Sequence, residues 1–189
     1  MKPTNLLKDC IKGKRRAQFD LYKQCYPILM RVCRRYRKNE DEVAAMVNEG
    51  FLKILNNLKK YDPKTPFEAW IKRIMINTLI DDFRKNRKEK ENTIYAETQK
   101  LVVLGKALDY NEADRYFDAE HIKNIIHQLP VINKQIFNLH AIDGFSHKEI
   151  AAQFGFSEGT SKWYLSNARQ QIKALLKKEM KREERLING

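Results

Sequence analysis

Ser146, His147, Lys148 and Glu149 open a helix with an S-x-x-E capping box, in which each partner satisfies a backbone donor of the other. Counted from His147, the fifth helical residue is Ala151 and the ninth is Gly155. A second helix can cross closely against a small side chain at the fifth position, and the chain can turn at the ninth if that residue accepts positive φ. Ser157 then stands where an N-cap is needed, ahead of the long periodic segment "EGTSKWYLSNARQQIKALLKK". The pattern predicts a helix-turn-helix whose second helix presents Glu158, Thr160, Ser161, Lys162, Trp163 and Tyr164 to a major groove. The plainer alternative is a helical hairpin with a glycine C-cap.

A helix-turn-helix is shared by many DNA-binding proteins, so a second segment must narrow the reading. In "FEAWIKRIMINTLIDDFRKNRK", Phe67–Lys88, the preceding Thr65 and Pro66 suit an N-cap and a first helical residue, and Glu68 suits the third helical position. Trp70, Ile71, Ile74, Met75, Thr78, Leu79 and Phe83 predict a wide buried face. Arg73, Asn77, Asp81, Arg84 and Lys88 are left as a polar stripe. Asn is an indifferent helix former, so Asn77 in a helix interior points to a task for its amide. Basic groups beside aromatic rings suit single-stranded DNA, whose bases stack and whose phosphates carry charge.

The rest of the chain reads as helices and one tether. Twelve Lys or Arg face two acids in the first 38 residues, where Phe19, Tyr22, Tyr26, Leu29 and Met30 recur at helical spacing and predict a basic amphipathic helix. "DEVAAMVNEGFLKILNNLKKY" places Val43, Met46, Val47, Phe51, Ile54, Leu55 and Leu58 on another stripe, interrupted by Gly50, where glycine weakens a helix by roughly 1 kcal/mol. From Glu89 to Asp118 periodicity fades and acids outnumber basic residues, which predicts a flexible linker, with "KLVVLGKAL" as a possible short helix within it. "HIKNIIHQL" and "NKQIFNLHAI", separated by Pro130 and closed by Asp143 and Gly144, predict two short helices. The expected fold class is all-α: two small helical domains, a helical bundle over 1–88 and a helix-turn-helix domain with a basic tail over 119–189, joined by the linker 89–118. A formal net charge of +13 favours a polyanionic partner, nucleic acid above all. No apolar run approaches the roughly 18 to 20 residues of a bilayer span, and the N-terminus lacks the apolar core of a secretory signal. A cytoplasmic chain without membrane insertion is therefore expected. Cys10, Cys25 and Cys33 show no CxxC spacing, so reduced thiols are expected.

The opening of the Phe67 helix resembles the F-x-x-W-[LI]-x-x-I-x-x-N-x-x-x-D-x-x-R run of region two of sigma-70-type initiation factors. "LPVINKQIFNLHAIDGFSHKEIAAQFGFSEGTSKWYLSNARQQIKALL" is similar to their region four. Order, spacing and length resemble the extracytoplasmic-function (ECF) group, which keeps only these two regions. The resemblance implies an alternative sigma factor that binds core RNA polymerase, directs it to promoter DNA and assists melting, with no catalysis of its own and no cofactor. It implies that Asp41, Asn48 and Glu49 meet the polymerase. Tyr61, Lys64, Phe67, Trp70, Arg73, Asn77 and Arg84 would serve the minus-10 element, the loop Tyr61–Phe67 offering a pocket that offsets the few kcal/mol of extruding a base. Ser157, Glu158, Thr160, Ser161, Lys162, Trp163, Tyr164 and Arg169 would read the minus-35 element. An anti-sigma factor that occludes these faces is implied as well.

Two other readings compete. A stand-alone helix-turn-helix regulator would need a ligand or dimerisation site in its N-terminal half, and that half instead carries Arg73, Asn77, Arg84, Arg87 and Lys88 on one helix. A metal-dependent nuclease would rest on Asp81 and Asp82, but adjacent helical residues diverge by about 100° and no third ligand is evident. His121, His127, His140 and His147 form no H-x-x-x-H pair, so no metal is expected.

Overall fold

A computed structural model describes residues 4–98 and 119–187, with side chains described over 5–86 and 120–180. Among the described residues all regular structure is helical, in two compact units that divide at residues 89 and 90. The fold class expected from the sequence is the one observed. The predicted linker lies mostly outside the described residues, as do "KLVVLGKAL" and the side chains of Arg87 and Lys88.

The first unit holds α1 (Thr4–Ile11), α2 (Arg15–Tyr36), α3 (Glu40–Asn57) with a 3-10 turn over Leu58–Lys60, and α4 (Phe67–Thr98). The single N-terminal helix expected from periodicity is two helices, broken where Gly13 takes a φ of 78°. In α2 the buried row is Leu21, Cys25, Leu29, Val32, Cys33 and Tyr36, whereas Phe19 and Tyr26 are exposed and Tyr22 is half-buried. Two apolar faces share the N-terminal half of this helix, and only one is core. Asn39 caps α3 by accepting from the backbone N–H groups of Asp41 and Glu42 at 2.8 and 3.1 Å. Gly50 has a packing reason, because a Cβ there would stand 2.5 Å from Met75 Sδ on α4. Arg37, at the end of α2, pairs with Asp82 of α4 and with Glu42 at 3.6 Å, tying three helices together.

The start of α4 differs by one residue from expectation. The Pro66 carbonyl accepts the first helical hydrogen bond, from Trp70 N–H, so proline is the cap, and Glu68 pairs with Lys72 at 2.6 Å. The helix also continues past Lys88 to Thr98, through a stretch with no glycine or proline to stop it. Its buried face is turned relative to the expected one: Ile76 and Ile80 join Ile71, Met75, Thr78, Leu79 and Phe83, and Trp70 and Ile74 move to the margin. The three cysteines are free and buried, and burial pushes the Cys25 and Cys33 thiols up to about 12, which keeps them protonated and unreactive.

The second unit holds α5 (Ala119–His127), α6 (Val131–Phe137), a π-helical turn over Asn138–Ile142, α7 (His147–Phe154) and α8 (Glu158–Ile187). Ile126, Leu129 and Ala168 form a core cluster with Ile122, Phe137 and Ile172 packed around it. Ser146 and Glu149 make the capping box in both directions, and Gly155 ends α7 in the left-handed region at φ 73° and ψ 32°. Both follow from local sequence chemistry, the box starting α7 and the glycine turning the chain toward α8.

Candidate nucleic-acid interface

In the first unit the loop before α4 is a defined turn. Thr65 N–H donates to Asp62 O at 3.0 Å, and Tyr61 O–H donates to Thr65 O at 2.7 Å. Lys64 is exposed at its tip, with its backbone N–H on Asp62 Oδ1 at 3.0 Å. Tyr61, Phe67 and Trp70 assemble into one aromatic cluster, their ring centroids 5.1 to 5.7 Å apart. Each ring is half-buried, so each keeps one apolar surface in contact and another open.

Trp70 also lines a groove of about 310 Å³ that α3 and α4 build together, with Lys53, Asn57, Lys60, Ile74, Asn77, Thr78 and Asp81. Thr78 Oγ1 is satisfied by Ile74 O at 2.9 Å, whereas the exposed amide of Asn77 has no hydrogen bond to a described residue. Arg73, Asn77, Asp81 and Arg84 are all exposed, as the polar stripe requires. Lys53, Asn57 and Lys60 complete the groove and were not legible in the sequence, because they come from the far end of another helix. A planar, polar-edged group of nucleobase size suits a wall of Trp70 with amides and ammonium groups opposite. Asp81 and Asp82 face different partners, Lys53 at 3.4 Å and Arg37 respectively, so they do not converge on one point.

The exposed face of α3 carries Asp41, Asn48 and Glu49. Asn48 Oδ1 accepts a hydrogen bond from Tyr22 O–H at 2.9 Å, which joins this face to α2. There the Tyr22 ring packs on Tyr26 and Phe51 at 5.5 and 4.9 Å, flanked by Phe19 and Leu52, which are 60% and 57% exposed. Large exposed apolar groups with polar residues beside them are the kind of patch that marks a protein-docking surface. Leu52 follows Asn48 by four residues and so shares its helix face.

In the second unit, Ser157 Oγ accepts from Thr160 N–H at 3.0 Å and caps α8. Ser157, Glu158, Lys162, Trp163 and Arg169 are exposed, and Thr160 and Tyr164 are half-buried. Tyr164 packs its ring against Phe156 and Trp163, at 5.8 and 5.0 Å. Ser161 departs from expectation: it is fully buried, its hydroxyl 2.9 Å from His147 Nδ1, so it seats the helix and does not reach DNA. The His147–Ser161 contact is not legible in the sequence, because its two residues lie fourteen positions apart on different helices. Burial, first, then the neighbouring His140 and Lys162, hold the His147 imidazole below the ordinary histidine range.

Comparison with known proteins divides the chain in the same way. Residues 21–89 match the family "Sigma-70 region 2" and residues 120–172 match "Sigma-70, region 4". The ECF RNA polymerase sigma factor EcfG of Rhodopseudomonas palustris is 29% identical over 140 residues, 73% of either chain. The RNA polymerase sigma factor CnrH of Cupriavidus metallidurans is 25% identical over 169 residues, 87% of this chain and 88% of that one. Among solved structures, the sigma factor RpoE in complex with the anti-sigma factor NepR from Bartonella quintana aligns over 84% of this chain and 97% of its own, at 20% identity and a TM-score of 0.50, a likeness of fold.

Proposed function

Because the chain belongs to the ECF group of the sigma-70 family, we infer that it binds core RNA polymerase, directs it to particular promoters and helps to melt them. The observation that carries this reading is the presence, on one chain and in order, of a region-two bundle with an open amide-and-aromatic groove and a region-four helix-turn-helix. Trp70, Asn77 and the loop Tyr61–Phe67, with Lys64, Arg73 and Arg84 around them, take the non-template strand of the minus-10 element. Glu158, Lys162, Trp163 and Tyr164 reach minus-35 base edges, and Ser157, Thr160 and Arg169 serve its phosphates. The protein supplies recognition, and bond making belongs to the polymerase. It works in the cytoplasm, where the polymerase is, and an anti-sigma factor restrains it by covering these faces. No helix among the described residues is long and apolar enough to cross a membrane.

Transcription in vitro with core polymerase of the source organism on a genomic library tests the reading. Discrete, chain-dependent start sites are the expected result. A sequence-specific footprint on duplex DNA without polymerase, and no start sites with it, would favour a stand-alone regulator.

The polymerase face includes α2. Replacing both Phe19 and Leu52 by Ala is expected to weaken core binding by on the order of tenfold, or about 1.4 kcal/mol, since a few large side chains carry most of the energy of an interface. Thermal unfolding should be unchanged, because neither side chain is core. Equal core affinity for wild type and variant, measured by titration with labelled core enzyme, would exclude this apolar patch of α2 and α3 from the interface.

A further inference from the structure

The π-helical turn before α7 projects His140 onto His147, with ring centroids 4.1 Å apart and planes 16° from parallel. Each ring is anchored at its other side. His140 Nδ1 donates to Phe145 O at 2.8 Å, and His147 Nδ1 meets the hydroxyl of Ser161, a residue of α8 with no exposed surface. The two rings therefore form a continuous link from the connecting loop to the first turns of the recognition helix. We propose that this stack is a proton-responsive latch, which seats α8 for promoter reading while neutral and loosens that seat on acidification. It rests on the reading of α8 as the promoter-reading helix.

Physical reasons converge on the neutral form. Two imidazolium rings at this separation repel each other. His147 is the first residue of α7, where the positive end of the helix dipole opposes a cation. From α8, Lys162 and Arg169 oppose a proton on His147 and Glu158 favours one. On its own helix Lys148 and Glu149 follow it, and Glu149 is committed to the capping box with Ser146. The Ser161 hydroxyl can reverse its hydrogen bond, so the loss on protonation comes from the stack and its cationic surroundings. Since folding lowers the affinity of His147 for a proton, the latch is fully stabilising above the ordinary histidine value of about 6.5. That stabilisation is lost as pH falls from there through the depressed value in the folded state.

The test is an NMR titration of the isotope-labelled full chain across roughly pH 8 to 5, which brackets the histidine range. Expected are a His147 ring midpoint below the ordinary one and backbone amide shifts over residues 158–165 that follow it. His140→Asn, which keeps a donor for Phe145 O, should move the His147 midpoint upward, and His147→Gln should abolish the linked amide shifts. An ordinary midpoint for His147, or amides of 158–165 that ignore it, would overturn the latch. The wild-type titration decides alone should a variant not fold. A chain that titrates as expected yet starts no transcript would overturn the promoter reading and leave the proton link intact.

Discussion

Asn77→Ala is expected to leave folding and core-polymerase binding unchanged while reducing open-complex formation by roughly fivefold to 150-fold, the effect of losing about 1 to 3 kcal/mol of base contact. A structural asparagine would be buried with its amide engaged, and its loss would cost on the order of 1 to 3 kcal/mol of stability. Asn77 has neither property: its side chain is exposed on the wall of the α3–α4 groove and bonds to no described residue. Thermal unfolding, core titration and permanganate reactivity of the minus-10 thymines separate the roles. Poor opening of duplex promoter with partial rescue on a pre-melted bubble would assign Asn77 to melting, and failure on both templates would assign it to capture of the strand. Normal opening with a lowered unfolding temperature would reverse the assignment.

What the sequence disclosed about this site depended on how local the chemistry was. The Ser146–Glu149 box, the Gly155 turn and the Ser157 cap each involve residues within four positions, and all three stand where their spacing puts them. The polar stripe of α4 was legible for the same reason, since it is a property of one helix. Its buried face was harder: Ile76, Ile80, Trp70 and Ile74 are all apolar, and only packing decides which pair turns inward. α2 poses that ambiguity more sharply, because Phe19, Tyr22 and Tyr26 make as regular a stripe as Leu21, Cys25 and Leu29. Contacts between elements were beyond reach. Lys53, Asn57 and Lys60 enter the groove because α3 lies against α4, closely enough that Gly50 has no room for a side chain beside Met75. Ser161 has the spacing of a DNA contact, but its bond to His147 on α7 holds it inside.

Gly155→Val is expected to destabilise the second unit by about 2 to 3 kcal/mol, near the upper end of the cost of holding a non-glycine residue in a sparsely populated backbone region. The cause is conformational. Gly155 has a φ of 73°, and no atom outside its chain neighbours lies within 4 Å of a Cβ built there, so a side chain meets backbone strain and not a clash at its Cβ. The turn has little freedom to relax, because the N–H groups of Gly155 and Phe156 both donate to Ala151 O, at 2.9 and 3.3 Å. Gly155→Asn is the matched control, since Asn tolerates the left-handed region and should lose under about 1 kcal/mol. Denaturant unfolding of the full chain in a Trp70→Phe background, where Trp163 fluorescence reports on α8, measures both variants. A valine midpoint equal to that of wild type would mean that the turn can be made without positive φ. If valine does destabilise, promoter use is expected to fall with it even at temperatures where the unit stays folded, because a relaxed turn would send α8 off at another angle and, on the proposed reading, turn Lys162, Trp163 and Tyr164 away from the minus-35 bases.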